Sequence, residues 1–300
     1  MTRRATAAFL ACVLATGLTA PIRPAAAAGC AERLPAARPR SPEPRAPEPG
    51  DVAAVTVELA RRLRGVTPPA RFTVPTWVHV ITDGVSRASG EAIRAQIAAL
   101  NAAYGGRLGG AGTGVSFRLD GISVTRNAAW FTAPIAHERA MKTALHKGGS
   151  ETLNLYLAEL GDLVLGFSAY PYWYADAPAL DGVVVDWRAL PGGSMPGYDR
   201  GYTGVHEIGH WLGLFHTFEG GCVDPGDGIP DTPPQVRPTE GCPESKDSCP
   251  RPGRDSVHNF MDYAQDRCMR EFTPGQARRM RQMWTAYRKP PGKRATKLSG

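Results

Sequence analysis

Three histidines and one glutamate lie within eleven residues in the C-terminal half of the chain. His206, Glu207, His210 and His216 follow the pattern H-E-x-x-H-x-x-G-x-x-H, in which Gly213 is the fifth fixed residue. On a helix, positions i and i+4 share one face, so His206 and His210 can bind one cation. Gly213 permits a positive φ that ends the helix and lets His216 approach from another side. Three nitrogen ligands leave one position of a zinc ion open, which is typical of a catalytic site.

Glu207 is the predicted general base. It is rotated by about 100° from His206 around the helix, so it is poorly placed as a third ligand but can hold a water beside the metal. The pattern therefore predicts hydrolysis by a zinc-bound water that Glu207 activates. The alternative is an amphipathic helix whose histidines share a face by chance. Thr203 is the expected N-cap of this helix, with Trp211 among its apolar anchors.

A second motif, Asn-Phe-Met-Asp-Tyr, covers residues 259–263. Together with the zinc pattern, it resembles the methionine turn of the metzincin metallopeptidases. The resemblance implies that Met261 lies beneath the three histidines. It also implies that Tyr263 donates a hydrogen bond to the oxyanion of the tetrahedral intermediate. Taken alone, the motif would be interpreted as ordinary core residues.

Further stretches resemble the pappalysin family, especially its secreted microbial, cytophagalysin-like members, over residues 72 to 287. They are residues 76–80, 153–156, 181–185, 216–222, 231–233 and 268–276. The resemblance implies a secreted zinc metalloendopeptidase with a metzincin-type α/β (α+β) catalytic domain. In such a domain a twisted mixed sheet is backed by helices, the zinc helix forms the cleft floor, and the C-terminal subdomain is irregular and disulfide-linked.

Hydrophobic periodicity gives the same order of elements. It predicts strands at 72–82, 115–124, 152–158, 166–170 and 182–187, and helices at about 90–104, 136–146, 203–214 and 274–287. By resemblance, the strand at 166–170 is the cleft rim, an edge strand suited to binding an extended peptide. A nearby aromatic cluster either lines substrate subsites or packs in the core; its members are Phe167, Tyr170, Tyr172, Trp173 and Tyr174.

The segments outside this domain are interpreted from composition. Residues 1–28 have the basic start, apolar run and small-residue cleavage site of a secretory signal peptide. Residues 29–71 are predicted to be a Pro-rich linker followed by a helical prosegment or N-terminal extension, with activating cleavage between Arg61 and Arg71. The catalytic domain is expected at 72–287, and residues 288–300 are predicted to be a basic disordered tail.

Five cysteines lie outside the signal peptide, an odd number for an oxidising compartment. Four of them, Cys222, Cys242, Cys249 and Cys268, allow three pairings. The resemblance implies Cys222–Cys249 and Cys242–Cys268, while a structural zinc site is the alternative. Cys30 is either a thiolate that ligates the zinc of a latent enzyme or a free or acylated thiol; acylation would anchor the protein to the cell surface.

The loop after the zinc helix is rich in acidic, Gly and Pro residues. Asp227 and Asp231 are the candidate side-chain ligands for a calcium ion, which prefers oxygen donors and which the resemblance also suggests. The alternative is a set of solvated turn residues. Among the histidines outside the ligand spacing, His79 is expected to pack in a strand and His258 beside the methionine turn.

The formal net charge of +7 does not indicate a nucleic-acid partner. Eight Lys and Arg residues and no acidic residue lie between positions 272 and 300, so the excess belongs to the last helix and the tail. We expect protein or peptide substrates, no nucleic acid, no integral membrane segment and a monomer. Two rival functions are a binding protein that has lost catalysis and a zinc hydrolase of non-peptide amides.

Overall fold

Four parallel strands and one antiparallel edge strand form the central sheet. The computed structural model describes residues 40–48, 50–161 and 164–289, so the signal peptide, Cys30 and most of the basic tail lie outside the described residues. The strands are β1 (Phe72–Thr82), β2 (Val115–Arg126), β3 (Leu153–Ala158), β4 (Gly166–Ser168) and β5 (Val183–Asp186). Their order is β2-β1-β3-β5-β4, with β4 antiparallel to β5 at one edge. The predicted strands and the mixed sheet are confirmed, although β4 is shorter than expected.

The described residues form six α-helices. They are α1 (Asp51–Arg62), α2 (Gly90–Tyr104), α3 (Ala128–Thr132), α4 (Glu138–Leu145), α5 (Tyr202–Trp211) and α6 (Pro274–Met283). A π-helical turn, Trp284–Arg288, continues α6. A capping box of Thr273 and Gln276 starts α6, since each side chain satisfies a backbone N–H of the other residue. Five-residue α3 is too short to produce a periodic signal in the sequence.

The helix that carries the histidine pattern, α5, is held from both ends. At its start, Gln96 Nε2 donates to Gly201 O at 2.9 Å, and Tyr104 Oη donates to Val205 O at 2.9 Å. Gly201 has φ 80° and is the N-cap, so the prediction of Thr203 as N-cap is wrong. A Cβ at Gly201 would lie 2.5 Å from Gln96 Oε1, which explains why glycine starts this helix.

At the other end of α5, a buried arginine satisfies a terminal carbonyl. Arg288 Nε and Nη2 donate to Trp211 O at 3.2 and 3.1 Å, and Arg288 Nη1 donates to Asp181 Oδ2 at 2.7 Å. The guanidinium also lies 3.9 Å from the Trp211 ring centroid. Starting the disordered tail at residue 288 is therefore wrong, because Arg288 is fully buried and supports the zinc helix.

The C-terminal part of the domain is irregular and carries two disulfides. Cys222 pairs with Cys249 and Cys242 pairs with Cys268, the pairing implied by the resemblance. Among the described helices, none combines the length and apolar character needed to cross a bilayer.

Residues preceding the catalytic domain pack against it. Helix α1 buries Val52, Val55 and Leu59 in a cluster with Phe215 and Met283. Upstream of it, residues 40–48 run to the histidines, so the prediction of an unordered linker is wrong for this stretch. Its order comes from ionic contacts with residues far away in sequence, which composition does not reveal.

Candidate metal centre

The three histidines of the motif converge on one point. His210 Nε2 lies 3.1 Å from His206 Nε2 and 3.1 Å from His216 Nε2. A tetrahedral zinc with bonds of 2.0 to 2.1 Å requires nitrogens about 3.3 Å apart, so the spacing fits that ion. Gly213 adopts φ 88° directly after α5 and turns the chain toward His216, as the sequence predicts.

Hydrogen bonds at the far side of two rings set their tautomers. His206 Nδ1 lies 2.6 Å from Phe260 O, and His210 Nδ1 lies 2.7 Å from Leu214 O. A carbonyl only accepts, so each Nδ1 carries the proton and each Nε2 presents a lone pair to the common point. Tyr170 Oη also lies 2.9 Å from His210 Nδ1. Burial lowers the pKa of both His206 and His210, which favours the neutral, metal-binding form.

The side chain of Met261 lies against the zinc helix. A Cβ placed on Gly209 would be 2.4 Å from Met261 Sδ, so only glycine allows this approach. The Met261 side chain is fully buried. It therefore packs on α5 at Gly209, the residue before His210.

Glu207 is buried beside the rim strand. Gly166 starts β4, and a Cβ there would lie 2.6 Å from Glu207 Cγ. Burial raises the pKa of Glu207 well above its usual range, and the nearby charge of Glu43 raises it further. Glu207 Oε2 has no hydrogen-bond partner among the described residues. This oxygen can take a proton from a water once Glu207 is ionised, which departure of Glu43 favours because a neighbouring negative charge is then lost.

A carboxylate from the N-terminal segment occupies the remaining side of the histidine cluster. Glu43 Oε1 lies 2.9 Å from His206 Nε2 and 3.2 Å from His216 Nε2, and Glu43 Oε2 lies 3.3 Å from His210 Nε2. In the described part of the chain, these four residues form the one group of metal-binding side chains found. Three imidazole nitrogens and a carboxylate that face one point form a donor set that fits a bound metal.

Arg40 contacts Glu207 and Tyr263 as well as Glu43. Its Nη2 donates to Glu207 Oε1 at 3.2 Å and to Glu43 Oε1 at 3.1 Å. The guanidinium lies 4.1 Å from the centroid of the Tyr263 ring, within cation–π distance. Arg40 and Glu43 together cover the histidines, the predicted base and the predicted oxyanion donor.

Tyr263 lies at the same point, with its hydroxyl directed into the cluster. Tyr263 Oη donates to Glu43 Oε1 at 3.2 Å. Burial raises the pKa of Tyr263, and the charge of Glu43 raises it further. The phenol therefore remains a hydrogen-bond donor at neutral pH.

The remaining predicted residues lie away from this centre. Asp227 accepts hydrogen bonds from Thr232 Oγ1 at 2.7 Å and Ile229 N at 2.9 Å. Asp231 accepts from Thr273 Oγ1 at 2.7 Å and Gly275 N at 2.8 Å, at the start of α6. Asp227 thus stabilises the loop, and Asp231 stabilises the start of α6.

His79 and His258 have the structural roles expected for them. His79 is buried in β1, 2.8 Å from Ser123 Oγ and 2.9 Å from Asn154 Oδ1. His258 Nδ1 lies 2.9 Å from Cys268 O, near the methionine turn. Of the aromatic cluster, Tyr170 is buried against His210 and Phe215, which favours core packing for that member.

Comparisons with known proteins agree with this geometry. Residues 195–285 match the family model described as Pregnancy-associated plasma protein-A. An extracellular metalloprotease of Arthroderma benhamiae is 42% identical over 238 residues, covering 77% of this chain and 78% of the relative. One from Verticillium alfalfae is 41% identical over 258 residues, covering 82% of this chain and 88% of the relative.

Two solved structures from Tannerella forsythia also resemble this chain. Mature mirolysin with a cleaved peptide has a TM-score of 0.61 and 26% identity, covering 74% of this chain and all of its own. A promirolysin variant has a TM-score of 0.65 and 25% identity, covering 83% of this chain and 94% of its own.

The fold and the convergent histidines define a metzincin metallopeptidase. Within that class, the chain belongs to the pappalysin family.

Proposed function

We propose that the protein is a secreted zinc endopeptidase that is made in a latent form. The observation that carries the proposal is the convergence of three Nε2 atoms beside Glu207 and Tyr263. His206, His210 and His216 would hold the zinc. When bound, zinc supplies the Lewis acidity that makes a water a better nucleophile and polarises a peptide carbonyl.

The residues of the chain would carry the protons and position the substrate. Glu207 accepts the proton of the attacking water on its free Oε2 and passes it to the leaving amine. The Tyr263 hydroxyl, which now donates to Glu43, would donate to the carbonyl oxygen of the substrate as that oxygen gains charge. Edge strand β4 begins beside Glu207 and supports binding of an extended peptide along the rim.

The latent form is supported by the position of residues 40–48. Glu43 occupies the open side of the histidine cluster, and Arg40 neutralises Glu207. Neither a substrate carbonyl nor an attacking water can reach the site while both side chains are present. Residues 40–64 would therefore act as a prosegment, with Glu43 covering the metal site in place of the thiolate of Cys30.

Removal of the prosegment is proposed to follow cleavage between Arg61 and Arg71. The residues after α1 are largely exposed, and the Arg61 side chain is 66% exposed. The promirolysin structure also matches a larger share of the chain, 83%, than the mature mirolysin structure, 74%. Cleavage in this exposed stretch would separate the prosegment from a catalytic domain that begins at β1.

Calcium at the loop after α5 is a further part of the proposal. Burial raises the pKa of Asp227 to about 7, and a bound cation would favour its charged form. Asp227 and Asp231 would supply the carboxylates, and nearby carbonyl oxygens would complete the site. Adding calcium, but not magnesium, should raise the Tm of the zinc-loaded protein, and Asp227→Asn should remove the rise. An equal Tm with and without calcium would exclude the site.

A peptide-library digest tests the main proposal. The matured protein should cut peptide bonds within the library, as mapped by mass spectrometry, and a zinc chelator should stop the cuts. A protein that hydrolyses only small non-peptide amides, or nothing at all, would contradict the endopeptidase assignment.

A further inference from the structure

Glu138 on α4 is a buried carboxylate outside the residues assigned to metal binding and proton transfer, and it contacts the prosegment. Arg45 Nη2 forms an ion pair with Glu138 Oε2, and Lys142 Nζ lies 2.8 Å from Glu138 Oε1. The Glu138 side chain is 8% exposed and that of Lys142 is 0% exposed. Each oxygen of Glu138 therefore faces one cation.

The two cations, Arg45 and Lys142, belong to different parts of the protein. Lys142 Nζ also donates to Leu180 O at 2.9 Å, so it belongs to the catalytic domain and stays there. Arg45 leaves with the prosegment, and Glu138 Oε2 then loses its donor. A largely buried carboxylate oxygen that loses its ionic partner favours a new donor at this place.

Lys142, the partner of Glu138, lies beside the cleft rim. Phe167 follows Gly166 in β4, and its ring centroid lies 5.6 Å from Lys142 Nζ. Arg45 is two residues after Glu43, and two residues of extended chain span about 7 Å. The pocket of Glu138 is therefore within reach of a peptide whose scissile bond lies at the histidines.

We propose that Glu138 forms a subsite for an arginine or lysine side chain of the substrate, about two residues from the scissile bond. The inference rests on the proposed endopeptidase function and adds a substrate class, peptides that are basic at this position. Lys142 already balances the charge of Glu138. The substrate cation therefore contributes through a charge-assisted hydrogen bond, which is roughly twice as strong as a neutral one.

Paired substrates measure this preference in the matured, zinc-loaded enzyme. Quenched peptides built on one cleaved sequence would carry either arginine or citrulline, its neutral counterpart of the same shape, at each of several positions on both sides of the scissile bond. We expect kcat/KM to be about tenfold higher for arginine at one position that is not adjacent to the scissile bond.

A double variant, Glu138→Gln with Lys142→Met, tests whether Glu138 causes the preference. Removing both charges avoids leaving one of them buried and unpaired, which protects folding. At the position found with the wild type, the arginine-to-citrulline ratio should fall to about one. The matched control is Glu159→Gln, because Glu159 also pairs with an arginine, Arg188 at 3.5 Å, but is 39% exposed. This control should keep the wild-type ratio.

The outcomes separate the subsite from the function on which it rests. Cleavage with no arginine preference at any non-adjacent position would overturn the subsite and leave the endopeptidase function intact. An arginine preference that persists in the double variant would also overturn the subsite and leave the endopeptidase function intact. An enzyme that cuts no peptide would overturn the proposed function and the subsite together.

Discussion

The zinc helix and the segment that covers it are built in different ways. Nine of the ten residues of α5 are buried, and hydrogen bonds from Gln96, Tyr104 and Arg288 hold both of its ends. In residues 40–48, by contrast, exposed residues alternate with partly or fully buried ones, and Arg40, Glu43 and Arg45 reach the domain through ion pairs.

This difference shows how a preorganised site can be covered reversibly. Packing fixes the histidines whether or not the segment is present, since their supporting contacts lie within the catalytic domain. The segment depends on the charges of the site and on the apolar face of α1. Loss of α1 should therefore release the segment without disturbing α5.

The largest expected effect comes from removing the carboxylate on the zinc helix that accepts the proton of the water. Glu207→Gln should lower kcat at least about 100-fold in the matured enzyme, because the amide cannot accept the proton of the water. Metal analysis should still find zinc at the wild-type level. Casein hydrolysis at the wild-type rate by this variant would refute the role of Glu207.

Tyr263→Phe should have the next largest effect. It removes one hydroxyl and keeps the ring, so kcat should fall about 100-fold while the Tm stays close to that of the wild type. Peptide hydrolysis by the matured enzyme measures the change. An unchanged kcat would mean that the hydroxyl does not stabilise the reacting oxygen.

Glu43→Ala tests the covering segment. In uncleaved protein, peptidase activity should rise about tenfold or more over uncleaved wild type, since the open side of the histidine cluster becomes accessible. Glu48→Gln is the control, an exposed glutamate in the same segment that should leave activity low. Mass spectrometry must show an intact chain, and equal activity of Glu43→Ala and wild type would contradict the latent form.

Leu59→Ala should give the smallest effect. Leu59 is buried between α1 and the domain, so its truncation should weaken the docking of α1 by about 2 to 3 kcal/mol. Activity of the uncleaved chain should rise a few fold, and the matured enzyme should be unaffected if it has lost α1. If Leu59→Ala lowers the stability of the matured enzyme as much as that of the uncleaved chain, α1 remains part of the matured enzyme.

Local and periodic features could be predicted from the sequence, whereas contacts between distant segments could not. The histidine pattern, the turn at Gly213 and the apolar strands are local, and the structure contains them. Glu43 lies 163 residues from His206, in a Pro-rich stretch whose composition indicates only a linker. No local feature distinguishes it from the other glutamates there.

Arg288 and Thr203 illustrate the same limit. Arg288 is one of several basic residues near the C-terminus, and only its contacts with Trp211 and Asp181 separate it from the tail. Thr203 has the right residue type for an N-cap, but Gly201 takes that position because Gln96 packs too closely for a side chain. The two Asp residues proposed for calcium stay a prediction.

Peptide hydrolysis is proposed to depend on a zinc ion held by the three histidines. The most direct test of this proposal is elemental analysis of the matured protein combined with peptidase assays after chelation and after stepwise return of zinc. We expect about one zinc per chain, loss of activity on chelation and full recovery at about one equivalent. Full activity in a metal-free protein, or a zinc-loaded protein in which His216→Ala changes neither metal content nor activity, would contradict it.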